Sequence, residues 1–69
     1  MYFDKALKML LDYKEMTRDC DEWNKQQSSL GYNEWTNELE YNYHENNSPI
    51  ICKWIPTQTD ILASDWIEI

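Results

Sequence analysis

The 69-residue sequence has few of the residues that cross-link or punctuate small proteins: two cysteines, one histidine, one glycine and two prolines. Cys20 and Cys52 lie far apart in the chain, and no Cys or His pair has the spacing of a zinc site. We therefore expect neither a metal nor another cofactor. The two cysteines are expected to be free thiols, with a single disulfide between them as the alternative.

Long apolar runs and an excess of positive charge are also missing. No run approaches the roughly 20 residues of a membrane span, and the charged start of the chain lacks the apolar core of a signal peptide. The predicted location is therefore cytoplasmic. Thirteen acidic residues against six basic ones give a net charge of −7, which repels nucleic acids and anionic membranes. Such a surface suits a basic protein partner or serves solubility alone.

Aromatic side chains, in contrast, are abundant, with four tryptophans and five tyrosines. A chain this short buries only about 60% of the surface that it exposes when unfolded. So small a core cannot enclose all these rings with their N–H and O–H groups satisfied. We expect some of them to line a pocket or an interface. We also expect the single domain, residues 1–69, to be stabilised by forming a dimer or tetramer.

The first third of the chain predicts a helix of uncertain length. Apolar residues recur at helical spacing from Phe3 to Leu11, which predicts an amphipathic helix over about residues 3–12. Similar spacing continues through Trp23, so a single helix reaching about residue 27 is one alternative. In the other alternative, residues 16–20 alternate as a strand.

The middle of the chain predicts a loop and a hairpin. Residues 24–33 are polar and contain the only glycine, so we predict a loop with its turn at Gly31. Residues 38–43 alternate between apolar and polar side chains, and residues 50–55 are rich in β-branched and aromatic ones. These two segments predict paired strands joined by a turn over residues 44–49.

The end of the chain, residues 54–66, places two indoles, an amide and two carboxylates around one turn. Thr57 is predicted to cap a short helical turn through residues 60–63, and residues 65–69 alternate as a final strand. A flat ring could stack on Trp54, with Gln58 or Asp60 binding its polar edges. In the alternative, both indoles belong to the core and the polar groups only cap the turn.

Catalytic groups are not expected. The clustered carboxylates lack the apolar surroundings that raise the pKa of a general acid, and His44 lies among polar residues. The chain also has no nucleophile elbow and no phosphate-binding loop. The residues therefore favour a binding protein over an enzyme.

The C-terminal segment resembles the pattern of a known family. That pattern, W-x-P-S/T-Q-x-D-I/L-L-A-x-D-W followed by a short apolar strand, is matched from Trp54 to Trp66. The family's opening, F-x-x-A-L-x-x-L, is matched from Phe3, and Met16-Thr17-Arg18 is similar to the start of its first strand. The sequence thus resembles the phage Thoeris anti-defence family of the nucleotide-sponge type. Residues 24–48 have no counterpart in the pattern.

The resemblance implies an α+β fold: an N-terminal helix, then a small antiparallel β-sheet with a short helical turn before the last strand. It favours helix-then-strand over one long helix. It also implies homotetramers in the host-cell cytosol. These would hold glycocyclic ADP-ribose, a cyclic ADP-ribose-like nucleotide messenger, in pockets between subunits without cleaving it.

The site residues that the resemblance implies carry three roles. It assigns stacking on the ligand's rings to Phe3, Trp23 and Trp54. It assigns phosphate contacts to Arg18, and contacts with the polar edges of the ligand to Gln58 and Asp60. Trp66 is left to the core. The chain departs from the family at Tyr13, where glycine is usual, and in the spacing between Arg18 and Trp23. The alternative function is an acidic inhibitor, of the anti-CRISPR or DNA-mimic type, that binds a host defence or DNA-handling enzyme.

Overall fold

Three short helices and five strands make up the fold, which the computed structural model describes over all residues, 1–69. In chain order they are α1 (Phe3–Leu11), β1 (Met16–Arg18), α2 (Asp21–Lys25), β2 (Ser29–Asn33), β3 (Glu38–Glu45), β4 (Ser48–Lys53), α3 (Gln58–Leu62) and β5 (Trp66–Glu68). The strands form one antiparallel sheet in the order β4-β3-β2-β1-β5. The predicted α+β arrangement is confirmed. No helix has the length and apolar character needed to cross a membrane.

Helix α1 ends in a well-defined C-terminal capping motif. The Tyr13 amide donates to Leu10 and the Lys14 amide donates to Met9, both at 3.0 Å, the two bonds of a Schellman motif. Tyr13 takes a φ of 64°, the left-handed conformation, at the position where the family pattern has glycine. The alternative of a single helix to residue 27 is therefore wrong. The chain turns into strand β1 instead, as the resemblance favours.

The predicted loop over residues 24–33 is also wrong, because helix α2 ends at Lys25 and β2 follows. Strand β2 is the central strand and pairs with both β1 and β3. Gly31 lies within it, opposite Glu40, and has no positive φ. Its neighbour Leu30 is fully buried. Backbone hydrogen bonds to β1 and β3 stabilise β2, although its own side chains are mostly polar. Pairing with strands distant in the sequence cannot be recognised from the local sequence.

The hairpin of β3 and β4 is confirmed, with a shorter turn than predicted. Only Asn46 and Asn47 form the turn, with φ values of 51° and 65°, and the ladder begins at Glu45 opposite Ser48. Asparagine is one of the few residues that adopts this left-handed conformation readily. The turn therefore takes two residues, and β4 begins two residues earlier than the predicted strand over residues 50–55.

The core lies between the sheet and α1. Seven buried residues form it: Ala6, Leu10, Met16, Trp23, Leu30, Trp54 and Trp66. Trp66, predicted to be in the core, is fully buried. The predicted cap at Thr57 is also confirmed, because its hydroxyl accepts a hydrogen bond from the Asp60 amide at 3.2 Å. Cys20 is half-buried, Cys52 is exposed, and both are free thiols, as predicted.

Candidate functional site

An open groove of about 560 Å³ lies between α2, the end of β4 and α3. Aromatic side chains of Trp23, Tyr41 and Trp54 line it, and we call it the aromatic groove. Its charged lining residues are Arg18, Glu22, Lys53 and Asp60. The groove thus combines flat apolar surfaces with groups of both charges.

Helix α2 brings Trp23 into this groove. The Trp23 ring lies edge-on to Tyr41 and to Trp66, with centroid separations of 5.2 and 5.3 Å. The Tyr41 hydroxyl is in turn 2.7 Å from the Ser28 hydroxyl, which follows α2. The two aromatic residues are therefore held by the core on one side and by a polar contact on the other.

Trp54 belongs to the core and to the groove at once. Its amide donates to the Leu39 carbonyl at 2.9 Å, which extends the β3–β4 ladder. Its ring packs against Phe3 and Trp66, at 5.6 and 6.1 Å between centroids, and only 8% of the residue is exposed. Such a ring offers a narrow strip to the groove rather than an open face. Stacking of a base on Trp54 stays a prediction.

The three buried indoles differ in their hydrogen bonds. The Trp66 indole N–H donates to the Asp60 carbonyl at 2.9 Å. The indole N–H groups of Trp23 and Trp54 have no acceptor within the chain, although these residues are only 5% and 8% exposed. Neither N–H is fully enclosed, so each keeps contact with the solvent-accessible surface. Because they reach the surface without an acceptor in the chain, these two N–H groups are free to donate to water or to a ligand.

Arg18 lies in β1 and is held by two carboxylates. Its Nη1 donates to Asp60 at 2.9 Å, and its Nε and Nη2 donate to the two Asp65 oxygens at 2.8 and 3.1 Å. The bonds to Asp65 and then Asp60 raise the pKa of Arg18 against the opposing effect of burial. The bonds from Arg18 hold the pKa of Asp65 below its ordinary value. Arg18 thus connects the first strand to α3 and to the residue before β5.

This pairing bears on the phosphate-binding role predicted for Arg18. Three of its five N–H donors are already used, and its side chain and that of Asp60 are only 12% and 13% exposed. Two carboxylates exceed the single positive charge of the guanidinium. Within one chain, Arg18 therefore supplies little net attraction for an anion, and its phosphate contact stays a prediction.

A second groove, of about 380 Å³, lies on the other side of Trp54. We call it the apolar groove, because its lining includes Phe3, Leu7, Leu39, Trp54, Pro56 and Ile61. Lys53 and Trp54 line both grooves. No three His, Cys, Asp or Glu side chains lie together in a way that could hold a metal ion.

The structure brings together four of the six predicted site residues in the aromatic groove: Arg18, Trp23, Trp54 and Asp60. Phe3 lines the apolar groove instead, and Gln58 is exposed and lines neither groove. Sequence reasoning missed Tyr41 and Glu22 as lining residues. The pairing of Tyr41 with Cys52 across the hairpin could have indicated that Tyr41 faces the same side as the end of β4.

Comparison with known proteins identifies a family. The family model Tad2-like, described as Thoeris anti-defense 2-like domain, matches residues 1–69, which is the whole chain. No curated protein and no solved structure matches the chain significantly.

Proposed function

The chain belongs to the Tad2-like (Thoeris anti-defense 2-like) family, and we propose on this premise how it performs its anti-defence role. It binds and sequesters a cyclic ADP-ribose-like nucleotide messenger, of the glycocyclic ADP-ribose type, in the host-cell cytosol. It does so without cleaving the messenger. The observation that supports this proposal best is the aromatic groove, which is lined by two tryptophans whose indole N–H groups have no acceptor within the chain.

The groove suits the base of such a ligand. Its volume of about 560 Å³ lies within the range of small-molecule sites, about 300–1,000 Å³. The ring nitrogens of adenine accept hydrogen bonds, which the Trp23 and Trp54 indoles donate. The exocyclic amino group of adenine donates, and the carboxylates of Glu22 and Asp60 accept. The predicted polar-edge role of Asp60 is compatible with its bond to Arg18, because a carboxylate accepts several hydrogen bonds.

The phosphates of the messenger require positively charged partners. Because the chain has a net charge of −7, only individual basic side chains can provide them. Lys53 is the candidate, because its side chain is 72% exposed and its single ion pair, with Glu38, is long at 3.5 Å. Exposed pairs of this kind stabilise by only about 0–1 kcal/mol, so a phosphate can replace Glu38. We propose that a second subunit of a dimer or tetramer supplies the remaining phosphate contacts.

Binding without cleavage fits the state of the carboxylates beside the groove. A general acid needs a carboxyl group whose pKa is raised. The hydrogen bonds from Arg18 lower the pKa of Asp65, and they also engage Asp60. These carboxylates are thus held as hydrogen-bond acceptors, which favours retention of the intact messenger.

Calorimetric titration of the purified protein with glycocyclic ADP-ribose tests the proposal. We expect saturable binding by the wild type and a loss of about tenfold or more in affinity for Lys53→Glu, because a phosphate contact becomes a repulsion. Lys14→Glu is the matched control, since it changes the net charge equally at an exposed residue outside both grooves. It should bind like the wild type.

Two outcomes would contradict the proposal. Equal weakening by both variants would mean that net charge, and not the groove, governs binding. A folded wild type that binds no cyclic nucleotide messenger would favour the acidic inhibitor of a host defence or DNA-handling enzyme instead.

A further inference from the structure

The turn between β2 and β3 presents a tryptophan that the proposed messenger site does not use. Trp35 is 90% exposed, the opposite of the other three tryptophans. We propose that Trp35 docks into the apolar groove of a second copy of this chain, and that two copies make this contact reciprocally. The docked pair does not depend on a ligand.

The turn holds the backbone of Trp35 in a defined position. The Asn33 side-chain oxygen accepts from the Trp35 amide at 2.9 Å and from the Thr36 amide at 3.4 Å. The Tyr32 hydroxyl donates to the Asn37 side chain at 2.7 Å. A turn whose backbone is fixed in this way loses little conformational freedom when it binds a partner. Tryptophan is also among the side chains that most often dominate interface energetics.

The apolar groove suits an indole as its occupant. At about 380 Å³, it is an open depression with aliphatic and aromatic walls from Leu7, Pro56 and Ile61. An indole buries about 150–250 Å² of mostly apolar surface when it is enclosed. Trp35 of the same chain does not occupy this groove, because its side chain is exposed to solvent.

The positions of the turn and the groove favour a second copy as the partner. Asn37, in the turn, and Glu38, which follows it, line the apolar groove, so the protruding Trp35 and the groove lie side by side. A two-fold axis between them places each Trp35 over the groove of the other copy, which is the arrangement of an isologous dimer.

Charge supports the same arrangement. Glu34 precedes Trp35, and Lys53 lines the apolar groove together with Glu38, with which it forms an ion pair at 3.5 Å. Because exposed ion pairs of this kind are weak, the lysine of one docked copy can also pair with Glu34 of the other.

Sedimentation velocity over a range of concentrations tests the proposal with variants on both sides of the contact. We expect the wild type to dimerise and Trp35→Ala to raise the dimer dissociation constant by about 30-fold or more, the effect of losing a hot-spot residue. Ile51→Ala is the control, since it removes an exposed apolar side chain from outside the turn and the groove. It should dimerise like the wild type.

Two neighbouring residues of α3 are substituted to test the groove half of the proposed contact. Ile61→Asp places a charge in the groove and should dissociate the dimer. Leu62→Asp places the same charge on the exposed neighbour that does not line the groove, and it should not. Circular dichroism confirms that each variant is folded.

Mixing decides whether the two sides contact each other. Trp35→Ala keeps its groove and Ile61→Asp keeps its tryptophan, so a mixed pair retains one of the two contacts and should dimerise more strongly than either variant alone. A mixture that stays monomeric, a monomeric wild type, or dimers unaffected by either substitution would overturn the proposal. Because messenger binding is measured separately, this failure and that of the proposed function are distinguishable.

Discussion

At the scale of single residues, Arg18 has the most consequences for the structure. Its guanidinium joins β1 to two segments more than forty residues further along the chain, at Asp60 and Asp65. Breaking a buried pair by removing one partner costs about 3–5 kcal/mol, because the other charge is left uncompensated. The residue that the family resemblance assigns to phosphate binding is therefore also a structural residue.

The ion pair predicts an acid-dependent stability. Hydrogen bonds from Arg18 hold the pKa of Asp65 below its ordinary value of 3.8. In the unfolded chain the pKa returns to that value, so the pair stabilises the folded state fully above about pH 4. This stabilisation is lost as the pH falls through the lower pKa of the folded state.

Urea unfolding at several pH values measures this effect. The free energy of unfolding of the wild type should fall more steeply below about pH 4 than that of Asp65→Asn, which lacks the titrating group. Asp19→Asn, at an exposed residue without an ion pair, should keep the wild-type profile. Parallel profiles for the wild type and Asp65→Asn would show that Asp65 does not carry the effect.

The site residues show what the sequence predicts at this scale. The cap at Thr57 follows from a local pattern and is confirmed. Trp66, which is assigned to the core beside the site residues that the resemblance implies, is fully buried. The grouping of Arg18 with Trp23, Trp54 and Asp60 in one groove came from the family pattern and not from periodicity. The pairing of Arg18 with two carboxylates could not be predicted, since no local signal indicates which distant charges meet.

At the scale of the elements, local patterns were sufficient where an element depends on its own residues. Helix α1 has its apolar stripe, and the β3–β4 hairpin has its alternation and a polar turn. Strand β2 depends instead on neighbours on both edges, so its polar segment was predicted as a loop. Helix α2 has five residues, too few for a helix that is stable without tertiary contacts.

The hairpin turn provides a prediction at this scale. Both Asn46 and Asn47 adopt the left-handed conformation, and glycine is the preferred residue at the second position of such a two-residue turn. Asn47→Gly should therefore stabilise the protein by up to about 1 kcal/mol, which raises the melting temperature by about 4–8 °C for a domain of this size.

Thermal unfolding followed by circular dichroism measures the change. Asn47→Val is the opposite control and should lower the melting temperature, because a β-branched side chain is strained at positive φ. Equal melting temperatures for the glycine and valine variants would mean that the conformation of the turn does not determine the stability of the hairpin.

At the scale of the whole molecule, the chain combines a thin core with two grooves that share Trp54 and Lys53. Only ten residues are buried, which agrees with the expectation that so short a chain hides only part of its apolar surface. Large apolar side chains such as Trp35 and Ile55 remain exposed. These features support the proposal that the functional form contains more than one chain.

The central claim is that this assembly takes up a nucleotide messenger and keeps it intact. The most direct test incubates excess protein with glycocyclic ADP-ribose, separates the two by ultrafiltration and analyses the filtrate by mass spectrometry. Denaturing the retained protein by heat then releases whatever it held. We predict a filtrate depleted of messenger and a heat-released fraction of unchanged mass. Messenger left in the filtrate would contradict binding, and recovery of a cleaved product would contradict sequestration without catalysis.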